Sequence, residues 1–244
     1  MTAPLLDKLR PALPTISVGA LSADLLDLGR DLAAVASAGV RLIHVDVMDG
    51  CFCPMLTAGP VLVKAIQGAM LKDVHLMVRD PLPKLEAFVA AGADLLTFAV
   101  EGADHPHRVL QTLGGMTNAN DASRGLLRGV SLNPGTPLTV LEPLLDELDV
   151  VLLLAINPGW SGQQFLPQTR QRIAQTRRML DEAGREAVIM VDGGVTRENI
   201  AEVTGMGADV IVTGSAVFRD GDPAAGAKAM LDAASAGRKG TRHA

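Results

Sequence analysis

Short apolar runs alternate along the chain with longer stretches in which apolar residues recur every three or four positions. The runs are 15–21 (TISVGAL), 41–48 (RLIHVDVM), 73–78 (DVHLMV), 94–100 (DLLTFAV), 127–133 (LRGVSLN), 150–157 (VVLLLAIN), 187–194 (AVIMVDGG) and 209–218 (DVIVTGSAVF). Their length and β-branched or leucine-rich content predict buried strands, and the intervening periodicity predicts amphipathic helices. Segments 23–39 (ADLLDLGRDLAAVASAG) and 164–184 (QFLPQTRQRIAQTRRMLDEAG) are examples of such helices. Gly39, Gly92 and Gly207 stand where helices end before the next strand, as C-terminal caps do. Strands alternating with helices imply a parallel sheet. Eight such units in 244 residues predict an α/β fold, a (β/α)8 TIM barrel formed by residues 1–244 as a single domain. The rival, a doubly wound open sheet binding a dinucleotide, needs a G-x-G-x-x-G turn after an early strand, and none is there. The polar stretch 113–125 (LGGMTNANDASRG) joins a helix to a strand and reads as a surface insertion on the N-terminal face.

Alternation then selects candidate chemistry. In 41–48, Leu42, His44, Asp46 and Met48 share one strand face, while Ile43, Val45 and Val47 share the other. In a barrel the first set points inward, and its later members reach the C-terminal mouth. The same alternation turns His75 and Met77 inward from the third run, and Met190 and Asp192 from the seventh. A lone histidine or aspartate in a strand reads as a hydrogen-bonded core residue or a turn cap. Four such residues converging on one end fit a divalent transition metal: zinc, iron, manganese or cobalt. A cation would also make buried carboxylates tolerable. The last three units add glycine-rich turns: 157–163 (NPGWSGQ), 192–195 (DGGV) and 213–215 (TGS). These fit either tight βα turns or a backbone cradle for phosphate.

Composition narrows the function classes. The formal net charge is −5 and no basic stripe runs along the chain, which argues against a nucleic-acid partner. The basic 237–244 segment reads as a frayed end. The longest unbroken apolar run, Val150 to Ile156, is too short to span a membrane. The N-terminal segment has no basic-then-apolar signal pattern. The only cysteines, Cys51 and Cys53, are too close for an unstrained bridge and read as reduced thiols of a cytoplasmic protein.

Beyond these readings, HVDVMDGCFCP, DVHLMV, SLNPGTPL, NPGWSGQQF, VDGGVTRENI and GADVIVTGSAVF together resemble the ribulose-phosphate 3-epimerase family over nearly the whole chain. The resemblance implies a barrel of the ribulose-phosphate-binding type. It implies His44, Asp46, His75 and Asp192 as metal ligands, and Asp46 and Asp192 also as the two acid/base carboxylates. It implies Met48 and Met77 as walls around the reacting carbon. Gly159, Gly162, Gly193, Gly194, Gly214 and Ser215 fall where the family holds the substrate phosphate, with Trp160 and Ser161 in the same loop. The implied reaction is metal-dependent epimerisation at C3 of a ketose phosphate, D-ribulose 5-phosphate to D-xylulose 5-phosphate, through an enediolate. The implied partner is a small sugar phosphate, and the family tends to form homo-oligomers. The chain departs from the family pattern at Val18-Gly19 (Pro-Ser), Ala99 (His), Leu154 (Met) and Trp160-Ser161 (Phe-Gly). These departures leave the reaction type intact and keep a second phosphoketose, such as D-allulose 6-phosphate, in view. A non-catalytic phosphate-binding barrel is the alternative of another class. A lysine-dependent decarboxylase of the orotidine-phosphate type is disfavoured, since Met48 occupies the position of its lysine.

Overall fold

The computed structural model describes residues 4–160 and 162–241, with side chains described through residue 238. Eight parallel strands close into a barrel in sequence order: β1 (Thr15–Gly19), β2 (Leu42–Met48), β3 (Leu71–Met77), β4 (Leu95–Ala99), β5 (Leu127–Leu132), β6 (Val150–Leu154), β7 (Val188–Asp192) and β8 (Val210–Thr213). β8 returns to pair with β1, so the barrel leaves no open sheet edge. The (β/α)8 expectation holds.

Alternation sorts the core as expected. Ile43, Val45, Val47, Leu76, Leu96 and Val130 face outward and pack against the helices. Leu42, Leu95, Leu127, Leu152, Met190 and Val210 face inward and fill the barrel. The helix α1 (Pro4–Leu9), which the periodicity does not predict, inserts Leu5, Leu6 and Leu9 into this inner cluster and closes the floor. The remaining helices are α2 (Leu28–Ser37), α3 (Pro60–Ala65), α4 (Leu85–Ala90), α5 (Pro106–Gly114), α6 (Thr169–Glu182), α7 (Ile200–Gly205), α8 (Ser215–Phe218) and α9 (Pro223–Thr241). Between β5 and β6 the chain forms a 3-10 segment, Leu138–Glu147, with Pro143 inside it. That proline has no N–H to donate to an α-helical ladder. Gly39, Gly92 and Gly207 have φ of 98°, 93° and 104°, the left-handed conformation of a helix C-terminal cap.

Several boundaries differ from the sequence pattern. The helix expected from residue 23 starts at Leu28, because Asp24 Oδ1 accepts the Leu26 N–H (3.0 Å) and holds 24–27 as a turn. α6 starts at Thr169, just past Pro167. The eighth strand ends at Thr213 instead of running to 218. Gly214 breaks it and Ser215 opens α8, which brings both residues to the mouth. Stretch 113–125 lies on the N-terminal face, but it is not a loose insertion. Asn118 is 2% exposed, and Asn118, Asn120 and Arg124 all bond the buried Asp94 Oδ1. The Arg124 carbonyl in turn accepts the Leu5 N–H (2.8 Å) and ties α1 to the floor.

Candidate active site

The site begins with register. β2 and β3 pair without a break from Leu42–Leu71 to Met48–Met77, which sets Asp46 beside His75. Leu154 of β6 pairs with Asp192, which places that carboxylate at the end of β7. One donor atom each from His44, Asp46, His75 and Asp192 lie within 4.8 Å of one another. The four residues picked by alternation are thus together at the C-terminal mouth.

Hydrogen bonds fix which atom each histidine offers. His44 Nδ1 lies 2.7 Å from Asp73 Oδ2, so its Nε2 faces the cluster, 3.2 Å from Asp46 Oδ1. His75 Nε2 lies 2.8 Å from Ser131 Oγ, so its Nδ1 faces the cluster, 3.3 Å from the same Asp46 oxygen. That Nδ1 is buried and has no aligned hydrogen-bond partner. Asp73 is fully buried and also accepts the Ser17 hydroxyl (2.8 Å).

The electrostatics are unbalanced toward negative charge. Among the described residues, no lysine or arginine pairs with Asp46, Asp73 or Asp192, and the ion-pair partners of Asp46 and Asp73 are imidazoles. Burial alone would lower the proton affinity of His44, but Asp73 and Asp46 on either side outweigh it and hold the ring well above its ordinary range. Burial pushes Asp46 up, yet the His44 and His75 rings overcome that and hold its carboxyl well below the usual range. Asp192 is pushed up to about 6, first by burial and then by the charge of Asp46. Two carboxylates and two imidazoles, one of them with an orphaned ring nitrogen, fit a divalent cation better than they fit one another. The mixed nitrogen and oxygen donors suit a first-row transition metal.

A cavity of about 860 Å³ opens beside the cluster. Asp46 and Asp192 contribute to its wall, with Gly162, Gly193, Gly194, Gly214 and Ser215. At Gly194, φ is 67° and a Cβ would fall 2.4 Å from the Phe165 nitrogen, so only glycine fits. Other expected residues stand elsewhere. Met48 and Met77 are neighbours at the ends of β2 and β3 and do not line this cavity. Gly159 packs on Cys53 and Pro54, and Trp160 is 58% exposed. Ser161 lies outside the described residues.

The sequence pattern misses several site residues. Asp73 shares a strand face with His75, two positions on, and the alternation that selects His75 could have found it. Ser131 on β5 pairs with Ala99 and reaches His75 across the barrel interior. Gln163, Arg170 and Asn199 line the cavity from loops and helices, where period-two alternation says nothing.

Residues 15–218 match the model of the ribulose-phosphate 3-epimerase family. The chain belongs to the ribulose-phosphate 3-epimerase family. It is 40% identical to the ribulose-phosphate 3-epimerase of Escherichia coli strain K12 over 210 residues, covering 85% of this chain and 90% of that one. It is 41% identical to the Bacillus subtilis enzyme over 205 residues, covering 83% and 91%. Among solved structures, 3-hexulose-6-phosphate synthase from Salmonella typhimurium superposes with a TM-score of 0.62 at 18% identity, over 91% of this chain and 98% of that one. That likeness shows a shared fold. Family membership makes this chain an isomerase of the epimerase type.

Proposed function

We propose that this chain is a metal-dependent 3-epimerase that interconverts D-ribulose 5-phosphate and D-xylulose 5-phosphate. The observation that carries the reading is the pairing of Asp46 and Asp192 on the wall of one cavity, beside two imidazoles. The two carboxylates have proton affinities driven in opposite directions, which is how acid/base pairs are set up. Epimerisation needs one group to take the C3 proton from one face and another to return a proton to the opposite face. Asp46 and Asp192 fill these roles across a flat enediolate. His44 Nε2, Asp46, His75 Nδ1 and Asp192 would hold zinc, iron, manganese or cobalt. A divalent ion there supplies Lewis-acid stabilisation of the negative charge that develops on the substrate oxygens.

The glycine turns after β7 and β8, with Gly162 and Ser215, form the wall where backbone groups would receive the phosphate. Burial of the ion-facing carboxylates strengthens their interactions with a bound substrate. The reading includes a cytoplasmic homo-oligomer. Two free cysteines support the compartment, and exposed Leu25, Leu26, Leu56 and Val61 support self-association.

A second substrate is favoured by one observation. Gly19 lines the cavity, and a Cβ there would meet nothing closer than 3.7 Å, so this wall is open. D-allulose 6-phosphate or another phosphoketose would use that room. The test is deuterium incorporation at C3 of D-ribulose 5-phosphate in deuterated water, followed by NMR with added divalent metal. Metal-dependent exchange with formation of xylulose 5-phosphate, lost in Asp192→Asn, supports the reading. Faster exchange of another phosphoketose transfers the chemistry to that substrate. Absence of both exchange and bound metal sinks it and leaves a non-catalytic phosphate-binding barrel.

A further inference from the structure

We infer that Asp73 and Ser131 are positioning residues that dictate which ring nitrogen each histidine presents to the metal, and that Asp73 has the larger effect on metal affinity. The inference rests on the metal site proposed above. The two histidines are held in opposite senses: His44 by Nδ1, on a buried carboxylate, and His75 by Nε2, on a hydroxyl. A neutral imidazole carries one proton. When Asp73 accepts that proton's hydrogen bond at Nδ1 of His44, the lone pair is left on Nε2, the atom that faces Asp46. When Ser131 accepts from Nε2 of His75, the lone pair is left on Nδ1, the buried atom without a hydrogen-bond partner.

The partners differ in strength. Asp73 offers an ionised acceptor, and such bonds are roughly twice as strong as neutral ones. It also makes the bound imidazole more basic, as carboxylate–histidine–metal arrangements do. Its orientation is fixed independently, because Ser17 on β1 donates to the same Oδ2 that faces His44. The other oxygen, Oδ1, is buried and has no partner. A carboxylate kept there with one oxygen unsatisfied, and with no lysine or arginine paired to it among the described residues, is a poor device for stability alone. It is a good device for drawing a cation toward the ring it holds.

Three variants of the full chain test this: Asp73→Asn, Ser131→Ala and Ser17→Ala. Affinity for Zn²⁺ is measured by competition with a chromophoric chelator, and Tm is measured on metal-free protein. Asp73→Asn is expected to weaken zinc about 10- to 100-fold, the range for outer partners of metal-bound histidine. Ser131→Ala is expected to weaken it less, and Ser17→Ala least. The metal-free Tm of Asp73→Asn should fall, since the buried His44–Asp73 ion pair is broken, but the variant should remain folded. In wild-type protein loaded with ¹¹³Cd²⁺ and labelled with ¹⁵N-histidine, coupling should appear at Nε2 of His44 and Nδ1 of His75. A zinc affinity in Asp73→Asn within twofold of wild type overturns the inference. So does coupling at the opposite nitrogens, or a variant too unstable to fold, which would assign Asp73 a structural role. Wild-type protein that binds no zinc and no cadmium would instead remove the metal site on which the inference stands.

Discussion

Asp46 and Asp192 face the same cavity, but one carboxyl is held well below its ordinary range while the other is pushed up to about 6. The difference follows from neighbours. Asp46 sits between two imidazoles, within 3.2 Å of His44 and 3.3 Å of His75. Asp192 makes no such ion pair among the described residues and meets the negative charge of Asp46.

This asymmetry predicts how Asp192→Asn behaves without metal. The folded-state value of Asp192 is raised above that of an unfolded aspartate, near 3.9. Its contribution to stability is therefore present below about pH 4 and lost as pH rises through about 6. At pH 7.5 the metal-free wild type carries that penalty, on the order of 3 kcal/mol, and the asparagine variant does not. The variant should melt higher by several degrees at pH 7.5, with the gap closing toward pH 4.5. Epimerase turnover should fall by about 10²–10⁴-fold. Thermal melts across this pH range check the first expectation, and equal gaps at all pH values would contradict it.

Chelation should act on stability as well as on turnover. A ligand bound only by the folded state stabilises it by about 2.7 kcal/mol at a hundredfold excess over Kd. For a chain of this size each kcal/mol moves Tm by about 2–4 °C, so removing the metal should lower Tm by about 5–10 °C. Readdition of Zn²⁺, Mn²⁺ or Co²⁺ should restore both properties. The difference belongs to the cluster if Asp46→Asn, already lacking a ligand, shows a much smaller shift on chelation.

The glycines of the cavity divide into two kinds. Gly194→Ala places a side chain at φ 67° and against the Phe165 backbone. Loss of about 2 kcal/mol or more in stability is expected, with a rise in KM for the phosphorylated substrate. Gly19→Ser meets only ordinary contacts at 3.7–3.9 Å and should fold as wild type does. Its effect should appear in the ratio of kcat/KM between D-ribulose 5-phosphate and bulkier phosphoketoses. An unchanged ratio would exclude Gly19 as a determinant of specificity.

What can be read from the chain follows the physics of each element. Strand alternation is a local rule, so β2, β3 and β7 make His44, Asp46, His75 and Asp192 legible from residue order alone. α1 obeys no such rule. PLLDKL is a single short turn whose leucines gain meaning only against the barrel floor. Asp73 is open to the same alternation but looks like a strand-start residue, because nothing local shows that a histidine from β2 will reach it. Helix starts depart from the periodic pattern where a side chain outcompetes propensity, as Asp24 does before α2.

The stretch 113–125 misleads for a related reason, and it supports a last prediction. Its polar residues suggest solvent, yet three of them converge on Asp94, which is 1% exposed. Asp94 Oδ2 also accepts the Lys72 N–H (3.0 Å), joining β3 to this lock. Nearby, burial lowers the proton affinity of the Lys72 ammonium and the charge of Asp94 partly restores it. Asp94→Ala would strand Arg124 and a strand N–H at once, and leave the Asn118 and Asn120 amide nitrogens only their bonds to the Gly125 and Gly92 carbonyls. Breaking a buried ion pair by removing one partner costs about 3–5 kcal/mol, enough to lower Tm by roughly 6–20 °C. The loss should be local to the barrel floor. Trypsin should cut after Arg124 faster in the variant, because its guanidinium is no longer held. Turnover by the folded fraction at 25 °C should stay within about twofold, since the cavity lies at the opposite end of the strands. Unchanged Tm and unchanged cleavage would return the segment to the surface loop that its composition suggests.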